Sequence, residues 1–377
     1  MIRPMIARAG LDIRMLRHSG IGTYLRGLLE GFHQAGISPE ERPVLFGDPD
    51  SASAFSEKKI RAFAAPIYSL REQARYPSRL RQCELWHAPH YNVPLFKGKT
   101  KLVVTLHDII HWIFRKQFLG PVQTAYAGFM LKQAVRTSDH IIAVSEHTKK
   151  DLMETFGAPA EKITVIYEGV GRAYRPMEAE ELSTRFRTVS EKYRIPEDFF
   201  LYVGLMKPHK NVLWLVEIFK KLKAAKRLRS ALVLVGRKDR RYPKGYEALR
   251  DLETGPGLIY IPEIEFPELL TLYNRATALV HPSLYEGFGL TLLEAMKCGT
   301  PVIASRAASL GEVAGDAAVL VDPRSADEMA EALIKVETNA GLRADLTARG
   351  FERVKIFDWA ETARQTVAVY RKTLGGQ

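Results

Sequence analysis

Short apolar runs separated by amphipathic stretches constrain the fold of this chain more than any other feature. The runs are Ile6–Ile13, Leu102–Leu106, Ile141–Val144, Ile163–Tyr167, Phe199–Val203, Leu232–Val235, Leu258–Ile261, Ala278–His281, Pro301–Ala304 and Ala318–Val321. Several are near-continuous Val, Ile and Leu. A strand with one wet face alternates apolar and polar residues. A strand without that alternation is buried on both faces, as in a parallel sheet. Between the runs, apolar residues return at helical spacing. Tyr24, Leu25, Leu28, Leu29 and Phe32 share a face, as do Phe266, Leu269, Leu270 and Tyr273. Pro267 suits a first helical turn, and Ser325 is placed to cap a helix carrying Ala330, Leu333 and Ile334. Strands alternating with helices predict doubly wound α/β domains.

A chain of 377 residues is too long for one ordinary core and suits two such domains. Residues 171–198 are polar, carry Pro176 and Pro196, and lack a strand pattern, so the boundary is expected there. The reading is an N-terminal domain over 1–175 and a C-terminal domain over 176–358. A last helix over 359–374, with Ala363, Thr366, Val367 and Tyr370 on one face, is expected to pack back on the first domain.

Several classes are excluded early. No run approaches the roughly 18 apolar residues needed to span a bilayer. Arg3 and Arg8 interrupt the N-terminus, which reads as no secretory signal. Two cysteines, Cys83 and Cys298, with no C-x-x-C, suit a reducing compartment and small buried side chains. A cytoplasmic location is expected. The net charge of +12 is uneven: residues 58–101 hold ten Lys and Arg against two Asp and Glu. Such a patch attracts polyanions or serves only as a solvated face. No recognisable nucleic-acid-binding signature accompanies it, so a nucleic-acid partner is not expected.

The run Pro282–Pro301, PSLYEGFGLTLLEAMKCGTP, carries the most chemistry. A strand ends near His281, a loop holds Glu286, Gly287, Phe288 and Gly289, and a helix begins at Leu290. Glycines followed by the N-terminus of a helix, with the amides of Gly289, Leu290 and Thr291 facing the loop, make an anion site suited to a diphosphate. Glu286 and Glu294 lie eight residues apart, about 12 Å of rise on a straight helix. A glycosidase pair stands closer, at roughly 5 to 9.5 Å. The spacing instead suits carboxylates gripping hydroxyls at the two ends of one long ligand, a sugar at Glu286 and a ribose at Glu294. In a second loop, between Phe199–Val203 and a helix starting near Asn211, Lys207 and Lys210 add cations for a leaving nucleoside diphosphate.

Glu286-Gly-Phe-Gly-Leu-Thr-Leu-Leu-Glu294, with Pro282-Ser283 before it and Cys298-Gly299-Thr300-Pro301 after it, resembles the signature of retaining glycosyltransferases of family 4. The likeness continues over nearly the whole chain. Ser19-Gly20-Ile21-Gly22 resembles the family's N-terminal glycine loop, and His107-Asp108 its histidine at a strand end. Ser145-Glu146-His147-Thr148 resembles a helix start, and Val203 to Asn211 its diphosphate loop. The resemblance implies an α/β GT-B fold of two Rossmann-like, doubly wound domains facing across a cleft. The first binds the acceptor and the second the nucleotide-sugar. It implies donor contacts from Gly20, Gly22, Lys207, Lys210, Glu286, Gly287, Phe288, Gly289, Leu290, Thr291 and Glu294. Glu286, His107 and Lys210 would serve catalysis, with no metal and no further cofactor. One departure stands out: many relatives carry Arg right after the glycine, where this chain has Leu205, and Lys207 is the substitute.

In look, the chain is most similar to bacterial mannosyltransferases of surface-polysaccharide assembly. GDP-mannose is therefore the expected donor, with a UDP-hexose second. The acceptor is expected to be a glycan or lipid-linked glycan. The basic patch and His111-Trp112-Ile113-Phe114-Arg115-Lys116 could bring the protein to anionic membrane at the inner face. Four other readings stay open. One is a metal site of His107, Asp108 and His111, which lacks a fourth ligand. The others are a sugar-nucleotide epimerase, a polyanion-binding protein and a silent scaffold.

Overall fold

The computed structural model describes residues 9–51, 60–118, 120–239 and 257–375. Residues 6–8 of the first expected strand, and Lys58 and Lys59 of the basic patch, lie outside the described residues. The chain divides into two compact units, Met1–Gly169 with Phe357–Gln377, and Val170–Ile356.

The first unit is a seven-stranded parallel sheet. Its strands are β1 (Ala9–Asp12), β2 (Val44–Gly47), β3 (Ile60–Ala62), β4 (Leu85–Ala88), β5 (Lys101–Leu106), β6 (His140–Ala143) and β7 (Ile163–Val165). Their spatial order is β3-β2-β1-β4-β5-β6-β7. Leu11 sits beside Leu45 on one side and His87 on the other. Connecting helices include α1 (Ile21–Gln34), α2 (Leu70–Leu80), the short α3 (Ile110–Ile113) and α4 (Arg115–Phe118), α5 (Pro121–Thr137) and α6 (Glu146–Phe156). The α1 face read from the sequence is fully buried, with Leu25, Leu28, Leu29 and Phe32 at 0% exposure.

The second unit opens with α7 (Ala179–Tyr193), which occupies most of the stretch expected to be a linker. Its Phe186 and Val189 are buried. Polar residues fill the rest of its surface, so its apolar stripe is too thin to read as a period. β8 (Phe199–Val203), α8 (Val212–Ala224), β9 (Ala231–Val235), β10 (Leu258–Ile261), α9 (Phe266–Arg275), β11 (Ala278–His281) and α10 (Leu290–Lys297) follow. β12 (Val302–Ser305), α11 (Ser309–Ala314), β13 (Val319–Val321), α12 (Ala326–Thr338) and α13 (Ala340–Arg353) complete it. The strand order β10-β9-β8-β11-β12-β13 is again all parallel. Ser325 caps α12 by accepting from the Glu328 amide, and Pro267 lies in the first turn of α9.

The last helix, α14 (Trp359–Thr373), belongs to the first unit and packs on α1. That packing needs glycine. A Cβ on Gly27 would stand 2.0 Å from the Trp359 ring, and one on Gly31 would stand 2.2 Å from the Trp359 carbonyl oxygen. At the far end of the helix Tyr370 meets His87, whose Nδ1 lies 2.6 Å from the Tyr370 hydroxyl and whose Nε2 lies 2.7 Å from Thr105 Oγ1.

In a doubly wound sheet the strand order reverses at one point, and ligands bind off the carboxyl ends of the strands there. In the first unit the reversal lies between β1 and β4; in the second it lies between β8 and β11. The glycine loop at Gly20–Gly22 follows β1, and the loops with Lys207, Lys210 and Glu286 follow β8 and β11, whereas His107 follows β5.

Candidate active site

The second unit brings Lys210 and Glu286 together, although 76 residues separate them. Lys210 ends a short 3-10 turn, Pro208–Lys210, after β8; Lys207 stands at the start of that turn. Glu286 follows β11. The two loops are tied by the amide of Leu284, which donates to the His209 carbonyl at 2.7 Å. Three donors converge on Glu286 Oε1: Lys210 Nζ at 2.5 Å, Ser283 Oγ at 2.7 Å and His281 Nε2 at 3.0 Å. The described structure records no partner for Oε2. His281 ends β11, is 1% exposed, and meets Thr291 Oγ1 through Nδ1 at 3.2 Å. Burial pushes the His281 imidazole down, against the opposing hydrogen bond from Glu286. A neutral ring then carries its proton on Nε2 towards Glu286 and accepts from Thr291 at Nδ1, a tautomer assigned from the network.

Burial works to raise the Glu286 carboxyl, but the Lys210 ammonium and the His281 hydrogen bond outweigh it and hold the group well below the usual carboxylate range. The site therefore keeps a partly buried anion beside a partly buried cation. Two such ions lose much hydration, so the pair is poor evidence of stabilisation and better evidence of a task.

The loop from Gly287 to Gly289 is braced from behind. Ser309 Oγ donates to the carbonyls of Glu286 and Phe288 at 2.9 and 2.8 Å, and the Phe288 ring is buried. Gly289 has φ 121°, and a Cβ there would stand 2.9 Å from Leu310 Cδ2, so a side chain is excluded twice over. Gly289 offers no capping side chain to α10, whose first residues are Leu290 and Thr291. That leaves the helix start as a place for an anion. Glu294 lies about one turn on from Leu290 in α10. It accepts from the Tyr273 hydroxyl at 2.7 Å. Burial pushes its carboxyl up, against the lowering hydrogen bonds from Tyr273 and Tyr174.

His107 lies in the first unit, just past β5. Its Nδ1 faces Glu168 Oε1 at 2.9 Å and its Nε2 faces the Pro89 carbonyl at 3.1 Å. Both ring nitrogens are thus taken. Among the described residues no group of three or more His, Cys, Asp or Glu could hold a metal ion. Tyr24 is buried in the core, packed edge-to-face on the His107 ring with centroids 4.8 Å apart and its hydroxyl 3.0 Å from Thr105 Oγ1. Gly20 begins α1 at φ 70°, while a Cβ on Gly22 would stand 2.5 Å from the Leu16 carbonyl oxygen.

Residues 186–353 match the family of glycosyl transferases group 1, and residues 18–173 match glycosyltransferase family 4. O-antigen chain mannosyltransferase B of Escherichia coli is 30% identical over 298 residues, spanning 76% of this chain and 74% of its own length. The chain belongs to glycosyltransferase family 4. O-antigen chain mannosyltransferase RfbU of Salmonella typhimurium is likewise 30% identical, over 74% of this transferase and 72% of its own length. Among solved structures, Anabaena Alr3699/HepE in complex with UDP-glucose has a TM-score of 0.74 at 17% identity, covering 97% of this chain and 99% of that one. That likeness confirms the GT-B fold class.

Reading the sequence missed three supports of this transferase: His281, Ser309 and Glu168. His281 was visible only as a strand end. Ser309 and Glu168 lie 23 and 61 residues from the groups they hold, and no local pattern announces them.

Proposed function

We propose that the protein transfers mannose from GDP-mannose to a hydroxyl of a growing glycan, retaining the anomeric configuration and using no metal ion. The observation that carries the reading is the convergence of Lys210, Ser283 and His281 on one oxygen of Glu286, at the switch point of the second sheet. A diphosphate at the start of α10 competes with Glu286 for Lys210. When it takes the lysine, His281 and Ser283 keep the carboxylate in place. Glu286 Oε2 then faces the sugar, and positive charge developing at the anomeric carbon meets a fixed anion. Lys210, Lys207 and the helix start carry the charge of the leaving diphosphate, which accepts the acceptor's proton on the same face. Glu294 grips the ribose.

Mannose is favoured by the names of the two mannosyltransferase relatives. The UDP-glucose complex of HepE supports a UDP-hexose as the second reading. Proton NMR of the product, made with and without EDTA, tests the chemistry. An α-linked product from GDP-mannose at an EDTA-independent rate is expected. A β-linked product, or activity abolished by EDTA, contradicts it.

The acceptor is proposed to be lipid-linked, with the protein resting on anionic membrane through α3–α5. A cavity of about 800 Å³ there is lined by Trp112, Arg115, Lys116, Phe129 and Lys132 among others. Residues 109–137 hold four Lys and Arg and no Asp or Glu. Val122 and Phe129 are exposed. No helix among the described residues is long and apolar enough to cross a membrane. Flotation with phosphatidylglycerol vesicles should exceed that with phosphatidylcholine vesicles by several-fold and fall in high salt. Equal flotation with both contradicts this part.

A further inference from the structure

A corner of tyrosines stands at the carboxyl end of the first sheet, outside the donor site. Tyr68 follows β3 with φ 67°, a left-handed backbone that is uncommon and costly for a bulky residue. Its ring is nevertheless 47% exposed. Tyr126 of α5 is 37% exposed, and the two rings meet at 84° with centroids 6.1 Å apart.

Both rings are held from beneath by a buried carboxylate, Glu72, which is 1% exposed. Glu72 Oε2 accepts from the Tyr68 amide at 2.9 Å and from Asn92 Nδ2 at 2.6 Å. Asn92 Oδ1 in turn accepts from the Tyr126 hydroxyl at 2.6 Å. Glu72 Oε1 accepts from Arg14 at 2.7 Å, and Arg14 also pairs with Asp12. Buried ions of this kind rarely add net stability. Here they fix the backbone of one exposed ring and the hydroxyl of the other. Strain and buried charge are thus concentrated under two rings that face solvent, a mark of a binding surface rather than of a core.

The position is also informative. His90 packs edge-to-face on Tyr68 at 5.9 Å and belongs to the loop after β4. The preceding residue, Pro89, offers its carbonyl to His107. One short loop at the switch point therefore joins the tyrosine corner to His107.

We infer that Tyr68 and Tyr126 form a carbohydrate-stacking subsite that takes a pyranose ring of the acceptor glycan. A pyranose has an apolar face of polarised C–H groups and a rim of hydroxyls. The negative face of a tyrosine ring attracts such C–H groups, and a second ring at a right angle closes one side. The inference rests on the transferase reading, because that reading makes the acceptor a sugar.

Saturation-transfer NMR on the full chain tests it, with methyl glycosides and α-linked disaccharides of mannose, glucose, galactose and N-acetylglucosamine as probes. At least one probe should receive saturation through its ring C–H protons. The signal should fall at least fivefold in Tyr68→Asn, which tolerates the left-handed backbone, and in Tyr126→Ala. It should persist in Tyr68→Phe. Melting temperatures and nucleotide-induced thermal shifts should be unchanged in all three. No saturation of any probe, equal signals in Tyr68→Asn and Tyr126→Ala, or loss of the nucleotide shift in Tyr68→Asn would overturn the assignment. A nucleotide shift without sugar saturation removes the subsite and leaves the transferase reading standing. Loss of both removes both.

Discussion

At the scale of single residues, two glutamates eight positions apart are kept in opposite conditions. Glu286 is held charged by Lys210 and His281 against the effect of burial, whereas burial raises Glu294 despite its hydrogen bonds with Tyr273 and Tyr174. Replacing each should therefore have different consequences. Glu286→Gln removes the anion proposed to face the sugar and leaves Lys210 uncompensated. We expect kcat to fall by about 10² or more, the usual scale for loss of one preorganised electrostatic group. Single-turnover rates with GDP-mannose check this, and a loss below threefold would contradict it. Glu294→Gln removes a costly buried carboxylate. The unliganded protein should melt at the same temperature or higher. Nucleotide affinity should fall about tenfold or more, because a charged acceptor of ribose hydroxyls contributes roughly 1.5–3 kcal/mol. Calorimetric titration and a melting curve on the same sample read both effects.

At the scale of elements, the contact of α1 with α14 depends on absent side chains. Gly31→Ala drives a methyl group into the Trp359 carbonyl, which cannot move without shifting the helix. Overpacking of this kind costs about 1–3 kcal/mol. A loss of roughly 2–10 °C in melting temperature is expected, with nucleotide affinity retained because Lys210, the start of α10 and Glu294 lie in the other unit. An unchanged melting temperature would show that the helices are not packed as described. Gly27 and Gly31 were not legible in the sequence, because glycine inside a helix carries no sign of what approaches it. The apolar faces of α1 and α14 were legible, since their period is local. β4 was hidden for a different reason. Its four residues include His87, a polar group that becomes a core residue only when Tyr370 and Thr105 satisfy both ring nitrogens. The loop Glu286–Gly289 could be read because strand end, glycines and helix start are contiguous. Its partners could not, because Lys210 and Ser309 are brought to it by strand order rather than by spacing.

At the scale of the whole molecule, buried neutral histidines set the response to acid. Burial lowers His87 to about 3, with a smaller push from His107, and it also lowers His90 and His281. A histidine lowered in the folded state binds its proton mainly in the unfolded chain. Stability is therefore full above about pH 6.5 and is lost as pH falls towards the folded value, by up to about 1.4 kcal/mol per pH unit for each such group. Depression of Glu286 adds to the loss in the carboxylate range, while the raised Glu294 offsets part of it. Urea unfolding should show a marked drop in stability from pH 7 to pH 5. His87→Phe should be less stable at pH 7 yet lose less on acidification, by roughly one proton's slope. A slope equal to that of the unmodified protein would contradict the burial of a neutral ring.

On the proposed function, the switch point of the second sheet binds a nucleoside diphosphate through Lys210, the start of α10 and Glu294. Thermal titration of the full chain with GDP, UDP, ADP and dTDP tests it most directly. At about 100 times the dissociation constant a ligand adds roughly 2.7 kcal/mol to stability. A clear shift is expected with GDP, or with UDP on the second reading, reduced in Lys210→Ala and lost in Glu294→Ala. No shift with any of the four nucleotides in a folded sample, or an undiminished shift in both variants, would contradict it.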